Sequence, residues 1–310
     1  MNVNTEVEIG SLRLKNPVMP ASGTFDWFGD DPLSTSVEQL GAFVSKSVTL
    51  KPQPGNPPQR VAETPSGMLN AIGIPSGGLD VFMSEVLPKY EAFDTPVIVS
   101  VQAYSPEEAE LMAARLTEEP RVDAIEINLS CPNLEHGSII AQSAKLTAET
   151  VSAARAGTDL PLVAKLSPNV TDVVKIARAA EDGGADALCL INTVRGMAID
   201  IVTRRALLGH IMGGLSGPAI KPIALHFVWE CYEAVDIPII GAGGIVRVQD
   251  VIEFLLAGAR AVQIGTATFR EPRTMEEVIG GLAGYLARER MGSLDELVGL
   301  CHREGATLGE

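Results

Sequence analysis

Three features of the sequence predict an α/β fold of the (β/α)8 TIM-barrel class, with an N-terminal β-hairpin and long βα loops over the C-terminal face. Eight short, continuously apolar runs recur along the chain, as expected of strands buried on both faces of a parallel sheet. Amphipathic segments carrying helix start and stop signals separate them. The runs end in small polar residues, lysines or glycines, which is where a barrel gathers its binding groups. A doubly wound open sheet is the alternative.

The chain opens with Val7, Ile9, Leu12 and Leu14 alternating around Gly10-Ser11, the pattern of a hairpin placed to plug the barrel bottom. The strand candidates are residues 17–21, 42–47, 96–102, 122–128, 161–166, 186–192, 238–241 and 261–265. Ser105-Pro106-Glu107-Glu108 reads as a capping box with proline at the first helical position, opening a helix over 109–116. Thr171-Asp172 opens a helix over 173–180 that stops at Gly183-Gly184, and Asp250 starts one over 251–256 that stops at Gly258. Two connections, 51–81 and 193–218, are too long for simple βα loops and read as lids or binding loops. No repeat or linker divides the chain, so residues 1–310 are expected to form a single domain.

Composition excludes several classes. The 310 residues are 46% hydrophobic and 20% charged, enough for a large core and too apolar for disorder. A net charge of −15 with a pI near 4.7 argues against nucleic-acid binding, which needs clustered Lys and Arg. The polar N-terminus has no signal-peptide core and no run of about 20 apolar residues occurs, so a cytoplasmic protein is expected, away from the membrane. The four cysteines, Cys131, Cys189, Cys231 and Cys301, show no paired spacing, which supports neither zinc nor an iron–sulfur cluster. Three lie in strand or helix patterns and read as inert buried thiols. Cys131 differs, standing in a polar loop after a strand.

The strand ends carry the candidate chemistry. They present Ser22 in Ala-Ser-Gly-Thr, Lys46 between Ser45 and Ser47, Ser100 and Gln102, Asn128 and Cys131, Lys165, and Asn192-Thr193. Lysine is rarely buried unless paired, so two lysines at strand ends beside carboxamides suggest an anionic ligand in the barrel mouth. After the last two strands, Gly243-Gly244 and Gly265-Thr266 suit a phosphate held by backbone N–H groups. The residues themselves thus describe a phosphate-anchored cofactor, two lysines, and carboxamides that can both donate to and accept from a flat ring.

This constellation resembles class 1 dihydroorotate dehydrogenases, FMN-containing barrels of pyrimidine synthesis, and most closely the NAD-linked class 1B catalytic subunit. The likeness spans nearly the whole chain. It is carried by Ala21–Phe25, Arg60–Pro65, Asn70-Ala71-Ile72-Gly73, Asn128-Leu129-Ser130-Cys131-Pro132-Asn133, Lys165-Leu166-Ser167-Pro168-Asn169, Asn192-Thr193, the run from Gly213 to Pro222, and Gly265-Thr266-Ala267. The resemblance implies an FMN-dependent oxidation of (S)-dihydroorotate to orotate. It makes Cys131 the base for the C5 proton, with the C6 hydride passing to flavin N5. It places Asn70, Asn128, Asn133, Asn192 and Thr193 around the substrate ring, and Lys46 near both substrate and flavin as the second catalytic residue. Lys165 is expected at the flavin N1–O2 edge. Ser22, Ser47, Ser100, Asn128, Ile191, Gly217, Gly243, Gly244, Gly265 and Thr266 are expected to contact FMN. No metal is implied.

Three positions depart from the family pattern. Ser100 stands where asparagine is common, the segment His136–Ile140 lacks the usual double glycine, and Arg195 is unusual beside Asn192-Thr193. The chain has neither paired cysteines for a cluster nor a G-x-G-x-x-G fingerprint after a strand. The subtype therefore implies a homodimer that joins an FAD/[2Fe–2S] electron-transfer subunit in a heterotetramer. Rival readings are a dihydropyrimidine dehydrogenase-type FMN subunit acting on uracil or thymine, a flavin-free aldolase or isomerase using Lys165, and a non-catalytic binding subunit.

Overall fold

The computed structural model describes residues 3–25, 35–130 and 140–303. Eight parallel strands form a nearly closed barrel. In chain order they are Val18–Pro20, Phe43–Val44, Val97–Gln102, Ala124–Asn128, Leu162–Lys165, Ala187–Leu190, Ile239–Ala242 and Ala259–Ile264. Each pairs in parallel with its sequence neighbour from the second strand onward, and the eighth returns to pair with the first. The remaining seam, between the first and second strands, is bridged by a bond from the Gly41 N–H to the Val18 carbonyl at 2.8 Å. The strands are buried on both faces, which explains their unbroken apolar runs.

The second strand is shorter than its sequence run. Pairing stops at Val44 and resumes as a separate two-residue segment, Val48–Thr49, leaving Ser45, Lys46 and Ser47 between them. The fourth strand starts later than expected, at Ala124, and the eighth starts earlier, at Ala259.

The helices follow their start signals. Ser105 accepts the Glu108 N–H and opens Pro106–Thr117, but the reciprocal arm of the box reaches one residue further back, with Glu108 accepting the Tyr104 N–H at 3.0 Å. Asp172 caps Val173–Asp182, and Ser143 caps Ala144–Ala156. The helix expected from Asp250 begins earlier, as Val248–Leu256, so Asp250 lies inside the first turn rather than at its start.

The hairpin strands Val7–Ile9 and Leu12–Leu14 bury their apolar residues and expose the residue between. Gly10, at the turn, packs against Asp186 and Pro161, which precede the sixth and fifth strands. The hairpin therefore covers the N-terminal end of the barrel. At the other end the two long insertions combine. Val61–Thr64, Gly67–Asn70, Gly213–Ser216 and Val194–Gly196 form one four-stranded antiparallel sheet. The sheet fixes the two long loops to each other above the strand ends.

Candidate active site

A cavity of about 560 Å³ opens at the C-terminal end of the barrel, under the antiparallel sheet. That volume lies in the range of small-molecule and cofactor sites. The first and second strand ends contribute Ser22, Lys46 and Ser47 to its lining, and the fourth and fifth contribute Asn128 and Lys165. Ile191, Asn192 and Thr193 follow the sixth strand. Asn70 and Gly217 come from the insertions, and Gly243, Gly244, Gly265 and Thr266 follow the last two strands. Ser100 does not line the cavity: it is fully buried behind Ser47, and the hydroxyls of Ser22, Ser47 and Ser100 form a chain with links of 3.0 and 2.9 Å. Cys131 and Asn133 lie outside the described residues, as do His136 to Ile139.

The carboxamides are tied to one another. Asn192 donates to the Asn128 side-chain carbonyl at 3.2 Å and to the Ser130 hydroxyl at 3.0 Å, and Asn128 also accepts the Ser130 N–H. The loops after the fourth and sixth strands are thereby held together. Asn169, from the K-L-S-P-N stretch, adds the fifth. It donates to the Thr193 carbonyl at 3.1 Å and accepts the Arg195 N–H at 2.8 Å. Arg195 thus joins the lid through its backbone, and its side chain is exposed.

The glycine loops have the geometry of an anion cradle. Gly244 has φ +76°, and a Cβ there would lie 2.8 Å from the Lys221 nitrogen and 2.9 Å from the Gly217 carbonyl oxygen. Only glycine meets both the backbone angle and the space. Beneath it the buried Asp250 carboxylate accepts the Val246 and Arg247 N–H groups and pairs with Lys221 at 2.7 Å. Nearby, the Thr266 hydroxyl donates to that of Ser216 at 2.7 Å. Backbone that must approach this closely, next to hydroxyls and a capped helix, fits a phosphate-bearing group.

Lys165 forms the floor and is only 5% exposed. Its ammonium donates to the Gln263 side-chain carbonyl at 2.7 Å and to Glu126 at 3.5 Å, and Gln263 in turn donates to Glu126 at 2.6 Å. Burial, the largest influence, pulls the Lys165 ammonium down, but the charge and hydrogen bond of Glu126 together with the influence of Cys189 outweigh it, and the net shift is upward. Cys189, its neighbour on the adjacent strand, is a neutral thiol with a pKa pushed up to about 12, chiefly by burial. Glu126 and Gln263 were not among the residues expected from the sequence. The signal was a Glu in the middle of an apolar strand, two residues before Asn128 and so on the same face.

A model of the dihydroorotate dehydrogenase family matches residues 4–286. The chain belongs to that family. It is 48% identical over 294 residues to a protein of Trichlorobacter lovleyi named dihydroorotate dehydrogenase B (NAD(+)), catalytic subunit, covering 94% of this chain and 97% of that one. A protein of the same name from Desulforudis audaxviator is 47% identical over 306 residues, covering 98% of this chain and 100% of its own. Among solved structures, the Eimeria tenella enzyme of this family, crystallised with ferulenol, aligns with a TM-score of 0.79 at 25% identity, over 97% of this chain and 89% of that one. The family match and the barrel set aside the doubly wound alternative.

Proposed function

We propose that this chain is the catalytic subunit of an NAD-linked dihydroorotate dehydrogenase, oxidising (S)-dihydroorotate to orotate with bound FMN in de novo pyrimidine biosynthesis. The observation that carries the reading is the convergence, in a chain of this family, of two lysines, five asparagines and the glycine cradle on one cavity. FMN would supply a two-electron acceptor that takes the C6 hydride at N5. Gly243, Gly244, Gly217, Gly265 and Thr266 would hold its phosphate end, with Ser22, Ser47 and Ile191 along it and Lys165 at the N1–O2 edge.

The protein's own residues do the remaining work. Asn70, Asn128, Asn192 and Thr193, with Asn133, orient the flat substrate ring, and the bonds that link Asn128, Asn192 and Thr193 keep those donors and acceptors fixed before it arrives. Lys46 is half-buried in the cavity wall, where its charge offsets the substrate carboxylate. Cys131 acts as the base that removes the C5 proton, its thiolate being the competent form. Ser100 supports the cofactor indirectly, through Ser47.

Electrons then leave through a partner. We infer a homodimer of this chain joined by an FAD/[2Fe–2S] subunit in a heterotetramer. Ile199, Ile201 and Val202, on the excursion between the sixth and seventh strands, are exposed at 59%, 87% and 85% and suit a subunit contact. The test is to supply dihydroorotate or dihydrouracil to the purified chain with either a dye or NAD. Dye reduction with dihydroorotate alone is expected. A preference for dihydrouracil would refute the substrate, and steady NAD reduction without an added subunit would refute the partner.

A further inference from the structure

Glu126 and Gln263 have no place in the chemistry above, yet they are among the most deeply buried polar groups in the barrel. Glu126 is 0% and Gln263 1% exposed. Glu126 lies on the fourth strand, Lys165 on the fifth and Gln263 on the eighth, so the three side chains meet across the barrel interior. A carboxylate with no access to water persists there only when it is paired and hydrogen-bonded. Both oxygens of Glu126 are used, one by Lys165 and one by Gln263. Gln263 spans the pair, accepting from the ammonium and donating to the carboxylate, and it alone of the two also lines the cavity. Two of the three N–H groups of Lys165 are accounted for in this way among the described residues.

We propose that Glu126 and Gln263 are positioning residues that keep Lys165 a charged ammonium while the cofactor is still oxidised, so that reduction draws no proton to this lysine. The inference rests on the FMN reading. The hydride from dihydroorotate brings two electrons and one proton to the ring, and the C5 proton goes to the base. The negative charge gained at the N1–O2 edge then meets a cation already in place. No third proton has to cross the closed floor of the site. The titratable groups facing Lys165 are Glu126 and Cys189. Cys189 stays a neutral thiol at working pH, so Glu126 alone supplies the compensating charge. Without that charge, burial would neutralise Lys165 in the oxidised protein, and the lysine would gain its proton only on reduction.

The slope of the flavin midpoint potential against pH counts the protons taken up per two electrons, by the linkage that ties protonation to any two-state equilibrium. It is measured by dye-mediated redox titration of the flavin-loaded protein across the neutral range. The unaltered protein is expected to take up one proton, Glu126→Gln two, and the double variant Glu126→Gln/Lys165→Met one again. A two-proton slope in the unaltered protein, or an unchanged slope in Glu126→Gln, overturns the proposal. If Glu126→Gln yields no folded protein, Glu126→Leu replaces it: with the carboxylate gone the slope should steepen in the same way, and a slope equal to that of the parent is the contrary result. A purified chain that neither carries nor takes up flavin refutes the FMN reading instead, which keeps the two failures apart.

Discussion

Two lysines face the same cavity, and the protein treats them in opposite ways. Lys165, at the floor, is buried and bracketed by Glu126 and Gln263. Lys46, in the wall, is half-buried and has no hydrogen bond or ion pair from its ammonium among the described residues. The difference follows from strand geometry. Lys165 ends a strand that is paired on both sides, so its side chain points into a dry interior where only a built-in counter-charge is tolerable. Lys46 falls where the second strand breaks, between Val44 and Val48, and its charge is left for a ligand. One cation is balanced by folding; the other, on the proposed reading, is balanced by binding.

The largest expected effect lies outside this pair and isolates it. Cys131→Ala should retain FMN while its anaerobic reduction by dihydroorotate slows by about 10² to 10⁴. Near-normal reduction in a stopped-flow trace would return the proton transfer to one of the lysines. Lys165→Ala comes next. It leaves Glu126 buried without its counter-charge, a change that typically destabilises by about 3–5 kcal/mol. Denaturant unfolding should register that loss, together with weaker FMN retention or a lower flavin potential. Unchanged stability would mean that the floor is not an ion pair in solution.

Lys46→Ala should behave differently, with folding and FMN content kept and orotate binding weakened by about 10- to 100-fold, the usual worth of a charged hydrogen bond. Loss of FMN with unaltered orotate affinity would reverse the two roles. The smallest effect is on the alkaline side. The folded pKa of Cys189 is raised, so its contribution to stability is present below the ordinary thiol value and lost as pH rises towards about 12. Stability should fall by roughly 1 kcal/mol per pH unit above about pH 9 from this thiol. The raised Lys165 value acts in the same direction, at higher pH. Cys189→Ala should flatten the first part of that decline in thermal unfolding, and an unchanged profile would show that the thiol is not protected by the fold.

The barrel was legible in the sequence because parallel strands buried on both faces leave unbroken apolar runs, and because Ser105, Asp172 and the glycine stops punctuate the helices. Most of the candidate residues were legible because strand ends converge in this fold. The four-stranded lid sheet was not. Gly67, Gly213 and Gly214 sit within its strands and carry no side chain to alternate, so each half reads as loop. Ser100 misleads for a related reason: a strand-end position marks proximity, not exposure, and Ser47 stands in front of it. Glu126 was hidden inside the run 122–128, where Asp123 and Glu126 stand among valine, alanine and isoleucine without breaking the apolar pattern.

In the proposed function one cavity binds flavin and dihydroorotate together. The direct measurement is the visible spectrum of the purified chain under anaerobic conditions, before and after dihydroorotate is added. A flavin spectrum that bleaches on addition is expected, with orotate formed in equal amount to the flavin reduced. A colourless protein that takes up no FMN, or a flavin band that dihydroorotate leaves unchanged, would contradict it.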